Sequence, residues 1–122
     1  MTDSTCKLAV VGSRYFKDYL LFTTKLDEWI KINGKPEYIV SGGATGADRF
    51  AEVYAKNHNI PTIIFKPDWN KYGKAAGMIR NNDIVNNCTH LIAFPSRTGK
   101  GTQDSISKAE KMSKPIEVHY ID

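Results

Sequence analysis

Apolar residues along the chain fall into short runs that are separated by longer stretches with a helical repeat. Five runs have the length and the β-branched content of strands: CKLAVVG (6–12), EYIVS (37–41), PTIIFK (61–66), THLIAF (89–94) and PIEVHYI (115–121). The first is continuously apolar, which is typical of a strand that is buried on both faces of a parallel sheet. The pattern therefore predicts five strands.

The segments between these strands carry the periodicity of helices. The predicted helices span residues 18–32, 46–58, 74–87 and 102–112. In the first helix Tyr19, Phe22 and Leu26 recur on one face, and Asp18 is a candidate N-cap. The third helix is the weakest prediction, because Gly77 and four asparagines lower its helix propensity.

Alternating strands and helices are typical of one fold class. The sequence predicts an α/β, Rossmann-like three-layer fold, with a mostly parallel five-stranded sheet, helices on both faces and right-handed crossovers. A length of 122 residues favours a single domain over residues 1–122. The longest irregular connection is KPDWNKYG (66–73), and connections of that length often carry function.

Three glycine-containing stretches follow predicted strands. They are GSR (12–14), SGGATGAD (41–48) and PSRTGKGT (95–102). In parallel sheets the ligand site lies at the carboxyl ends of the strands, so these stretches are expected on one rim. Glycine allows close approach of backbone N–H groups, and a helix N-terminus adds unpaired donors. The rim is therefore predicted to bind phosphate, with Arg14, Lys100 and Arg97 adding positive charge.

Each stretch also has a purely structural interpretation. Thr45 and Asp48 have nearly the spacing and chemistry of a capping box, and Gly42 with Gly43 can form a tight turn. GKGT at 99–102 is not a phosphate loop of the Walker type, because that motif needs glycine where Phe94 stands. Three such stretches on one rim favour a ligand site over three independent turns.

A dinucleotide fingerprint is approximated between the second strand and the second helix. Ser41, Gly43 and Gly46 have the spacing of G-x-G-x-x-G with serine in first place. Asp68 lies where a ribose-binding acid is expected, and Trp69 beside it is a candidate for stacking on a base. Outside this stretch, Arg80 is a candidate partner for a phosphate or for a second subunit. Asn81 follows it on the same helix.

Composition and charge narrow the functional classes. The formal charge is +4 with dispersed lysines, which fits either a solvated surface or attraction to an anionic partner. No apolar run approaches the ~18 residues of a membrane span, and the N-terminus lacks a secretory segment. Cys6 and Cys88 form no disulfide framework, and the histidines and cysteines lack metal-ligand spacing. We expect a cytoplasmic protein without metal or cofactor.

Four segments together carry a resemblance to a known family. They are VVGSRYFKDY, IVSGGATGADRFAEVYA, FKPDWNKYGKAAGMIRN and LIAFPSRTGKGTQDSISKA, in this order. Over roughly residues 7–118 the chain resembles the YspA-type, cpYpsA-related branch of the SLOG superfamily. The resemblance implies a Rossmann-like fold with a nucleotide site on the glycine rim. It also implies relatives of diverse function: LOG-type nucleoside monophosphate phosphoribohydrolases, DprA-like proteins that bind single-stranded DNA, and sensors of nucleotide signals.

The LOG-type signature, P-G-G-x-G-T-x-x-E, contains a catalytic glutamate. In this chain the similar segment runs from Ser96 to Ser105, with an insertion after Pro95, and Ser105 takes the place of the glutamate. Asp104 is one residue early, which turns it by about 100° on a helix. The resemblance therefore leaves enzyme activity open, with Asp48 and Asp68 as candidate catalytic carboxylates.

These observations predict a binding module for a nucleotide or a nucleotide-derived ligand (ADP-ribose, an NAD-like molecule or a cyclic nucleotide), as a sensor or a sequestering module. The alternative is a hydrolase of the N-glycosidic bond of such a ligand. A nucleic-acid partner is disfavoured because the basic residues form no clustered stripe, and homo-oligomerisation is expected from the resemblance and from the pattern of residues 72–85. The predicted ligand-binding residues are Gly12, Ser13, Arg14, Ser41, Gly42, Gly43, Ala44, Thr45, Gly46, Asp48, Asp68, Trp69, Arg80, Asn81, Pro95, Ser96, Gly99, Lys100, Gly101 and Thr102.

Overall fold

The structure is a computed structural model that describes residues 5–122. The strands are β1 (Lys7–Gly12), β2 (Tyr38–Ser41), β3 (Thr62–Ile64), β4 (His90–Phe94) and β5 (Ile116–Val118). The helices are α1 (Tyr19–Asn33), α2 (Ala47–Asn57), α3 (Trp69–Tyr72), α4 (Ala76–Asn86) and α5 (Gly101–Lys111), with a 3-10 turn at Gly73–Ala75. The five strands and four long helices predicted from the sequence are confirmed, with boundaries that differ by a few residues.

The five strands form one sheet in the order β3-β2-β1-β4-β5. Every neighbouring pair is parallel, so the predicted α/β, Rossmann-like fold is confirmed and the sheet is parallel throughout. β2 and β3 lie on one side of β1, and β4 and β5 lie on the other, so the strand order reverses between β1 and β4. In such a sheet the crevice for a ligand lies at the carboxyl ends of the two central strands.

Both faces of the sheet are covered, and β1 shows why. Leu8 and Val10 belong to the core cluster that packs against α1 and α2, whereas Ala9 and Val11 belong to the cluster with α4 and α5. Successive side chains of a strand point to opposite faces, so a strand buried on both sides must be apolar at every position. Burial on both faces of the sheet explains why the apolar run of β1 is uninterrupted in the sequence.

Local polar contacts set the ends of α1. The Asp18 carboxylate accepts a hydrogen bond from the Leu21 N–H at 3.0 Å, which confirms the predicted N-cap. At the other end Gly34 has φ of +90°, and its N–H donates to the Ile30 carbonyl oxygen at 2.7 Å. Glycine adopts this backbone conformation at little cost, so the helix ends where the sequence predicts.

The connection predicted to be irregular at 66–73 is partly helical. The Asp68 carboxylate accepts from the Lys71 N–H at 3.1 Å and caps the one-turn helix α3. Gly73, with φ of +55°, then redirects the chain into the 3-10 turn and α4. A single turn is too short for a hydrophobic repeat, so sequence periodicity does not reveal it. In residues 5–122 no helix has the length and apolar character to cross a membrane.

Candidate functional site

A cavity of about 450 Å³ opens at the carboxyl edge of the sheet, where β1 and β4 end. Its lining residues are Val11, Gly12, Ser13, Arg14, Tyr15, Ala44, Asp48, Arg80, Asn81, Ile84, Ser96, Thr98, Gly99, Lys100, Gly101, Thr102 and Ser105. We call the exposed members of this set the mouth: Arg14, Tyr15, Thr98, Lys100 and Gly101. We call the buried members the floor: Val11, Asp48, Asn81, Ile84 and Ser105.

The loop after β1 is fixed by the elements on either side of it. A Cβ atom on Gly12 would lie 2.7 Å from the Ala47 Cβ and 2.8 Å from the Phe94 carbonyl oxygen, so only glycine allows this approach. The Ser13 N–H donates to that carbonyl oxygen at 3.0 Å, and the Ala47 N–H donates to the Ser13 carbonyl oxygen at 3.1 Å. These bonds place the next two residues, Arg14 and Tyr15, at the mouth.

The first glycine loop, residues 42–46, uses its own backbone groups internally. The Gly43 N–H donates to the Ser41 hydroxyl at 3.4 Å, and the Ala44 N–H donates to the Asp48 carboxylate at 3.1 Å. Arg80 Nη1 donates to the Gly42 carbonyl oxygen at 2.7 Å. Of this loop only Ala44 lines the cavity, and the N–H groups of Gly43 and Ala44 are bonded within the protein rather than offered to a ligand.

The capping box considered for α2 is not formed. The N-cap of α2 is Gly46, with φ of +70° and no side-chain hydrogen bond. Thr45 Oγ1 donates to the Arg14 carbonyl oxygen at 3.2 Å, and the carboxylate of Asp48 accepts from Ala44 instead. Both side chains fix the loop against its neighbours, which is a structural role that differs from the one the spacing suggested.

The second glycine loop, residues 96–101, leaves a helix end open. The Gly99 N–H donates to Ser96 Oγ at 2.9 Å, which closes the turn. The N-cap of α5 is Lys100, and no side chain caps this helix. Gly101 and Thr102, in the first turn of α5, line the cavity. Because the first N–H groups of a helix have no partner within it, this end attracts anions.

Arg97 has a different role from the one predicted. Its N–H donates to Asp122 Oδ1 at 3.0 Å, and its Nε donates to the Asp122 carbonyl oxygen at 3.1 Å. Its guanidinium lies 5.0 Å from the centre of the Tyr120 ring. Arg97 therefore ties the second glycine loop to the C-terminal segment and does not line the cavity.

Asp48 brings a carboxyl group to the floor at 7% exposure. Burial raises its pKa to about 6, and the nearby charge of Glu52 adds to that rise. The Ala44 N–H and the guanidinium groups of Arg80 and Arg14 act in the opposite direction. Burial also lowers the pKa of Arg80. The floor thus contains a carboxyl group that titrates near neutral pH beside a partly buried cation.

Asn81, another polar floor residue, connects α4 to α5. Arg80 Nε donates to Asn81 Oδ1 at 3.0 Å, and Asn81 Nδ2 donates to Asp104 Oδ2 at 3.1 Å. Lys108 holds the same carboxylate at 2.7 Å. Ser105, which takes the place of the LOG-type glutamate, lines the cavity with a hydroxyl group at 2% exposure. The position of the LOG-type glutamate thus has no carboxylate in this chain, and the adjacent Asp104 carboxylate is bonded to Asn81 and Lys108.

Two candidates lie outside the cavity altogether. Asp68, predicted to contact a ribose or to act as a catalytic acid, caps α3. Trp69 is exposed beside Gly77, on the outer side of that helix. Asp68 was predicted from its spacing after the third strand and Trp69 from its place in a segment taken to be irregular, whereas that segment contains the helix α3. The other predicted residues that do not line the cavity are Ser41, Gly42, Gly43, Thr45, Gly46 and Pro95.

The sequence analysis missed five lining residues: Val11, Tyr15, Ile84, Thr98 and Ser105. Tyr15 directly follows the GSR stretch, so its position after a predicted strand was a usable signal. Val11 and Ile84 look like ordinary core residues in the sequence, and only the packing brings them to the cavity. Within residues 5–122 no group of three or more histidine, cysteine or acidic residues has the arrangement of a metal site.

Comparison with known proteins identifies relatives. The model of the YspA, cpYpsA-related SLOG family matches residues 6–72, more than half of the chain, which confirms the resemblance seen in the sequence. The Gene 61 protein of Mycobacterium phage D29 is 28% identical over 116 residues, which cover 90% of this chain and 93% of the phage protein.

Two solved structures share the fold. DNA processing protein A (DprA) from Helicobacter pylori, described with a single-stranded DNA binding mode, has a TM-score of 0.69 at 23% identity. DprA from Streptococcus pneumoniae has a TM-score of 0.74 at 20% identity. Each match covers 93% of this chain, which spans 65% of the first structure and 50% of the second.

These relatives correct two predictions. The sequence analysis favoured a nucleotide-type small molecule as the partner, with a glycosidic-bond hydrolase as the alternative, and it disfavoured nucleic acid. Both predictions are wrong, because the matching structures are DNA-processing proteins and one of them is described as binding single-stranded DNA. Nucleic acid was disfavoured because the basic residues form no stripe along the sequence. Cations that are distant in sequence can still lie around one opening in the fold, as Arg14 and Lys100 do.

Proposed function

We propose that this chain, which belongs to the YspA, cpYpsA-related SLOG family, binds single-stranded DNA at the mouth of the cavity. A backbone phosphate of the strand lies against the first turn of α5, between Arg14 and Lys100. An exposed aromatic ring beside this phosphate stacks on a base. The likeness in fold to two DNA-processing proteins supports this function, and the chemistry of the mouth supports it independently.

The single observation that carries the proposal is the arrangement of positive groups around the mouth. Arg14 and Lys100 come from two different loops and line the same opening. The uncapped N-terminus of α5 lies there too, so its free N–H groups and partial positive charge reinforce the two side chains. Phosphate contacts of this kind supply most of the sequence-independent affinity of proteins for nucleic acid.

Tyr15 supplies the second element that single strands require. It lines the cavity and is 76% exposed, so its ring is accessible to a base at little cost in desolvation. Stacking of an unpaired base on an aromatic side chain contributes about 1–3 kcal/mol and tolerates every base. Bases in a duplex already stack on one another, so this contact favours a single strand over a double strand.

The test is fluorescence anisotropy with a labelled 20-nucleotide single strand of mixed sequence and with the matching duplex. We expect a Kd on the order of 10 μM for the single strand at physiological salt. The double variant Arg14→Gln/Lys100→Gln should lower this affinity about tenfold or more, and the salt slope should fall by about 1.4 because two contacts are lost. Tyr15→Ala should weaken binding about tenfold, whereas Tyr15→Phe should retain it.

The matched control is Lys31→Gln/Lys35→Gln. These exposed lysines lie beside the C-terminal end of α1, at the opposite edge of the sheet, and their removal changes the net charge by the same amount. This control should stay within about twofold of the wild-type affinity, since it removes only long-range attraction. Equal losses in the two double variants, or no binding of the single strand at 1 mM protein (roughly a hundred times the expected Kd), would contradict the proposal.

We also propose that the chain self-associates. Trp69, Tyr72 and Met78 are exposed on and near α3 and α4, within or beside the segment whose irregular pattern suggested a partner. Light scattering at micromolar concentration should report a mass above that of one chain. Trp69→Ser/Met78→Ser should return the protein to a monomer without loss of DNA affinity, since neither residue lines the cavity.

A reducing, cytoplasmic setting is the remaining part of the proposal. Cys6 and Cys88 are both free, and burial raises the pKa of the Cys88 thiol, which lowers its reactivity. Titration of the folded protein with a thiol reagent should modify Cys6 quickly and Cys88 only on unfolding.

A further inference from the structure

We infer that Asp48 makes the cavity selective for guanine: the strand places its phosphate at the mouth, and a guanine base enters and donates hydrogen bonds to the Asp48 carboxylate. This inference rests on the proposed function and adds a sequence preference to it. It follows from the polarity of the cavity, from the composition of its floor and from the hydrogen-bonding pattern of the four bases.

The cavity is electrostatically polarised from mouth to floor. Arg14, Lys100 and the N-terminus of α5 lie at the mouth, whereas the Asp48 carboxylate lies on the floor. Arg80 also lines the cavity near Asp48, but its Nη1 already donates to the Gly42 carbonyl oxygen. A phosphate at the floor would meet this carboxylate at close range in a poorly hydrated space, where like charges repel strongly. The phosphate therefore stays outside, and the inner space suits a neutral group that donates hydrogen bonds.

The inner space also has the size and the walls for a base. A volume of about 450 Å³ lies within the range of about 300–1,000 Å³ that is typical of sites for small organic groups. Val11 and Ile84 provide apolar surface on the floor. Apolar side chains around a few fixed polar groups are the usual environment of a planar, partly polar ligand.

The hydrogen-bonding pattern of the bases favours guanine. An ionised carboxylate only accepts hydrogen bonds, and it has two oxygens side by side. The Watson–Crick edge of guanine offers N1–H and the N2 amino group as adjacent donors. Adenine and cytosine each place a ring acceptor beside their amino group, and thymine places its single donor between two carbonyl oxygens. Only guanine matches the carboxylate with two parallel hydrogen bonds.

The structural duty of Asp48 does not require a charge. Its side chain accepts one bond, from the Ala44 N–H, and a neutral amide oxygen would serve as well. Burial of the ionised form is unfavourable, as the raised pKa of this group shows. Arg80 and Arg14 reduce the penalty without removing it. An ionised Asp48 carboxylate that is unfavourable for folding has a function if a bound base donates hydrogen bonds to it.

The experiment compares oligothymidine strands of equal length that carry one central substitution. Strands with guanine, hypoxanthine, adenine or cytosine at that position are measured against the all-thymine strand by anisotropy. Hypoxanthine is guanine without the N2 amino group, so this pair isolates one hydrogen bond. Wild-type protein should bind the guanine strand at least about fivefold more tightly than each of the others.

Two variants assign the preference to Asp48. Asp48→Asn should bring the guanine strand within about twofold of the all-thymine strand, because an amide cannot accept two bonds in parallel. The same variant should bind the all-thymine strand at least as tightly as wild type, since a negative charge near the phosphate is removed. Glu52→Gln is the matched control: it removes a neighbouring carboxylate that does not line the cavity, and the guanine preference should persist.

The outcomes separate this inference from the proposed function. No binding of any strand overturns the proposed function. Binding of the all-thymine strand without an advantage for guanine overturns only the selectivity of Asp48, as does a guanine preference that persists in Asp48→Asn. The comparison of guanine with hypoxanthine uses wild-type protein alone, so the inference stays falsifiable even if a variant does not fold.

Discussion

The two glycine loops at the carboxyl edge are alike in sequence and opposite in use. In the loop at residues 42–46 the donors of Gly43 and Ala44 are taken by Ser41 and Asp48. Neither α2 nor α5 has a side-chain cap, but the first N–H of α2, at Ala47, donates to the Ser13 carbonyl oxygen, whereas Gly101 and Thr102 at the start of α5 line the cavity. We therefore expect the first loop to contribute mainly to stability and the second mainly to ligand binding.

This difference teaches that glycine content does not identify a ligand loop. The loop at residues 42–46 is the one that approximates a dinucleotide fingerprint, yet its glycines serve close packing and positive φ. What matters is the destination of each backbone N–H, because an amide already bonded within the protein cannot bind a phosphate. Substitutions in the first loop should therefore change mainly the free energy of unfolding. Substitutions in the second loop should change mainly the affinity for the ligand.

The largest expected effect is at Gly46. Alanine there would combine φ of +70° with a Cβ atom in direct conflict with the Ser13 carbonyl oxygen, so both strain and a backbone clash follow. We expect Gly46→Ala to lower the free energy of unfolding by about 3–5 kcal/mol, measured with urea. The control is Gly34→Ala, which has φ of +90° but open space around it, so it carries the backbone strain without the clash and should cost about 1–3 kcal/mol. Equal losses would show that the clash is relieved by a small movement.

The next effect concerns the bond between α4 and the first loop. Arg80→Met should lower the free energy of unfolding by about 3 kcal/mol, because it leaves the Gly42 carbonyl oxygen unsatisfied and removes a cation near Asp48. Arg80→Lys keeps the positive charge but lacks the forked pair of N–H donors. Its free energy of unfolding should therefore lie between those of wild type and Arg80→Met. Urea unfolding of the three proteins at pH 7.5 provides the measurement. A loss below about 1 kcal/mol in the methionine variant would show that water replaces the guanidinium.

Asp48→Asn should change stability in the opposite direction. The folded-state pKa of about 6 lies above the ordinary value of 3.8, so the folded protein binds this proton more tightly than the unfolded chain does. The protonated group therefore favours folding at low pH, and that contribution is lost as pH rises through 6, at an estimated cost of about 3 kcal/mol. The neutral variant should be more stable than wild type by about 1–3 kcal/mol at pH 7.5.

The pH dependence is the control for that prediction. Between pH 6 and pH 4 the wild-type carboxyl group becomes protonated, so its difference in stability from Asp48→Asn should shrink towards zero. Thermal unfolding of both proteins across this range measures it. A variant that is less stable than wild type at pH 7.5 would show that attraction to Arg80 and Arg14 outweighs burial.

The smallest expected effect is at Gly101, the counterpart of Gly46 in the open loop. A Cβ atom there would contact nothing within 4 Å, so Gly101→Ala should leave stability unchanged or raise it by about 0.5 kcal/mol. The added methyl group lies at the mouth, and the affinity for single-stranded DNA should fall a few-fold. Urea unfolding and anisotropy on the same sample give both values. A large loss of stability would show that Gly101, like Gly46, is required by the fold.

Much of the fold could be predicted from local sequence. The period of apolar positions located all five strands and the four long helices, because burial on both faces of a parallel sheet leaves a strong pattern. The carboxyl edge followed from that alternation. The one-turn helix α3 did not, since Asp68 and Gly73 define it through a cap and a positive φ rather than through periodicity.

The site was only partly predictable. Arg14 and Lys100 were expected at the rim, and they do line the cavity. Arg97 was expected there too, but the Asp122 carboxylate, 25 residues away, holds its backbone N–H. Tyr15 was overlooked: its residue type does not distinguish it from other surface tyrosines, and the one usable signal was its place directly after the GSR stretch. The sequence gives the type of each residue directly, but it does not show which distant residues that side chain contacts.

By itself the sequence determined the order of the elements, the parallel sheet and the edge at which the glycine loops gather, because these depend on hydrophobic periodicity and on short-range turn chemistry. Which of those loops lines the cavity depends on the tertiary structure. Arg80 reaches the Gly42 carbonyl oxygen across 38 residues, and the cavity forms where β1, α2, α4 and α5 meet. Hydrogen bonds and cavities join residues that are distant along the chain, so their arrangement exists only once the chain has folded.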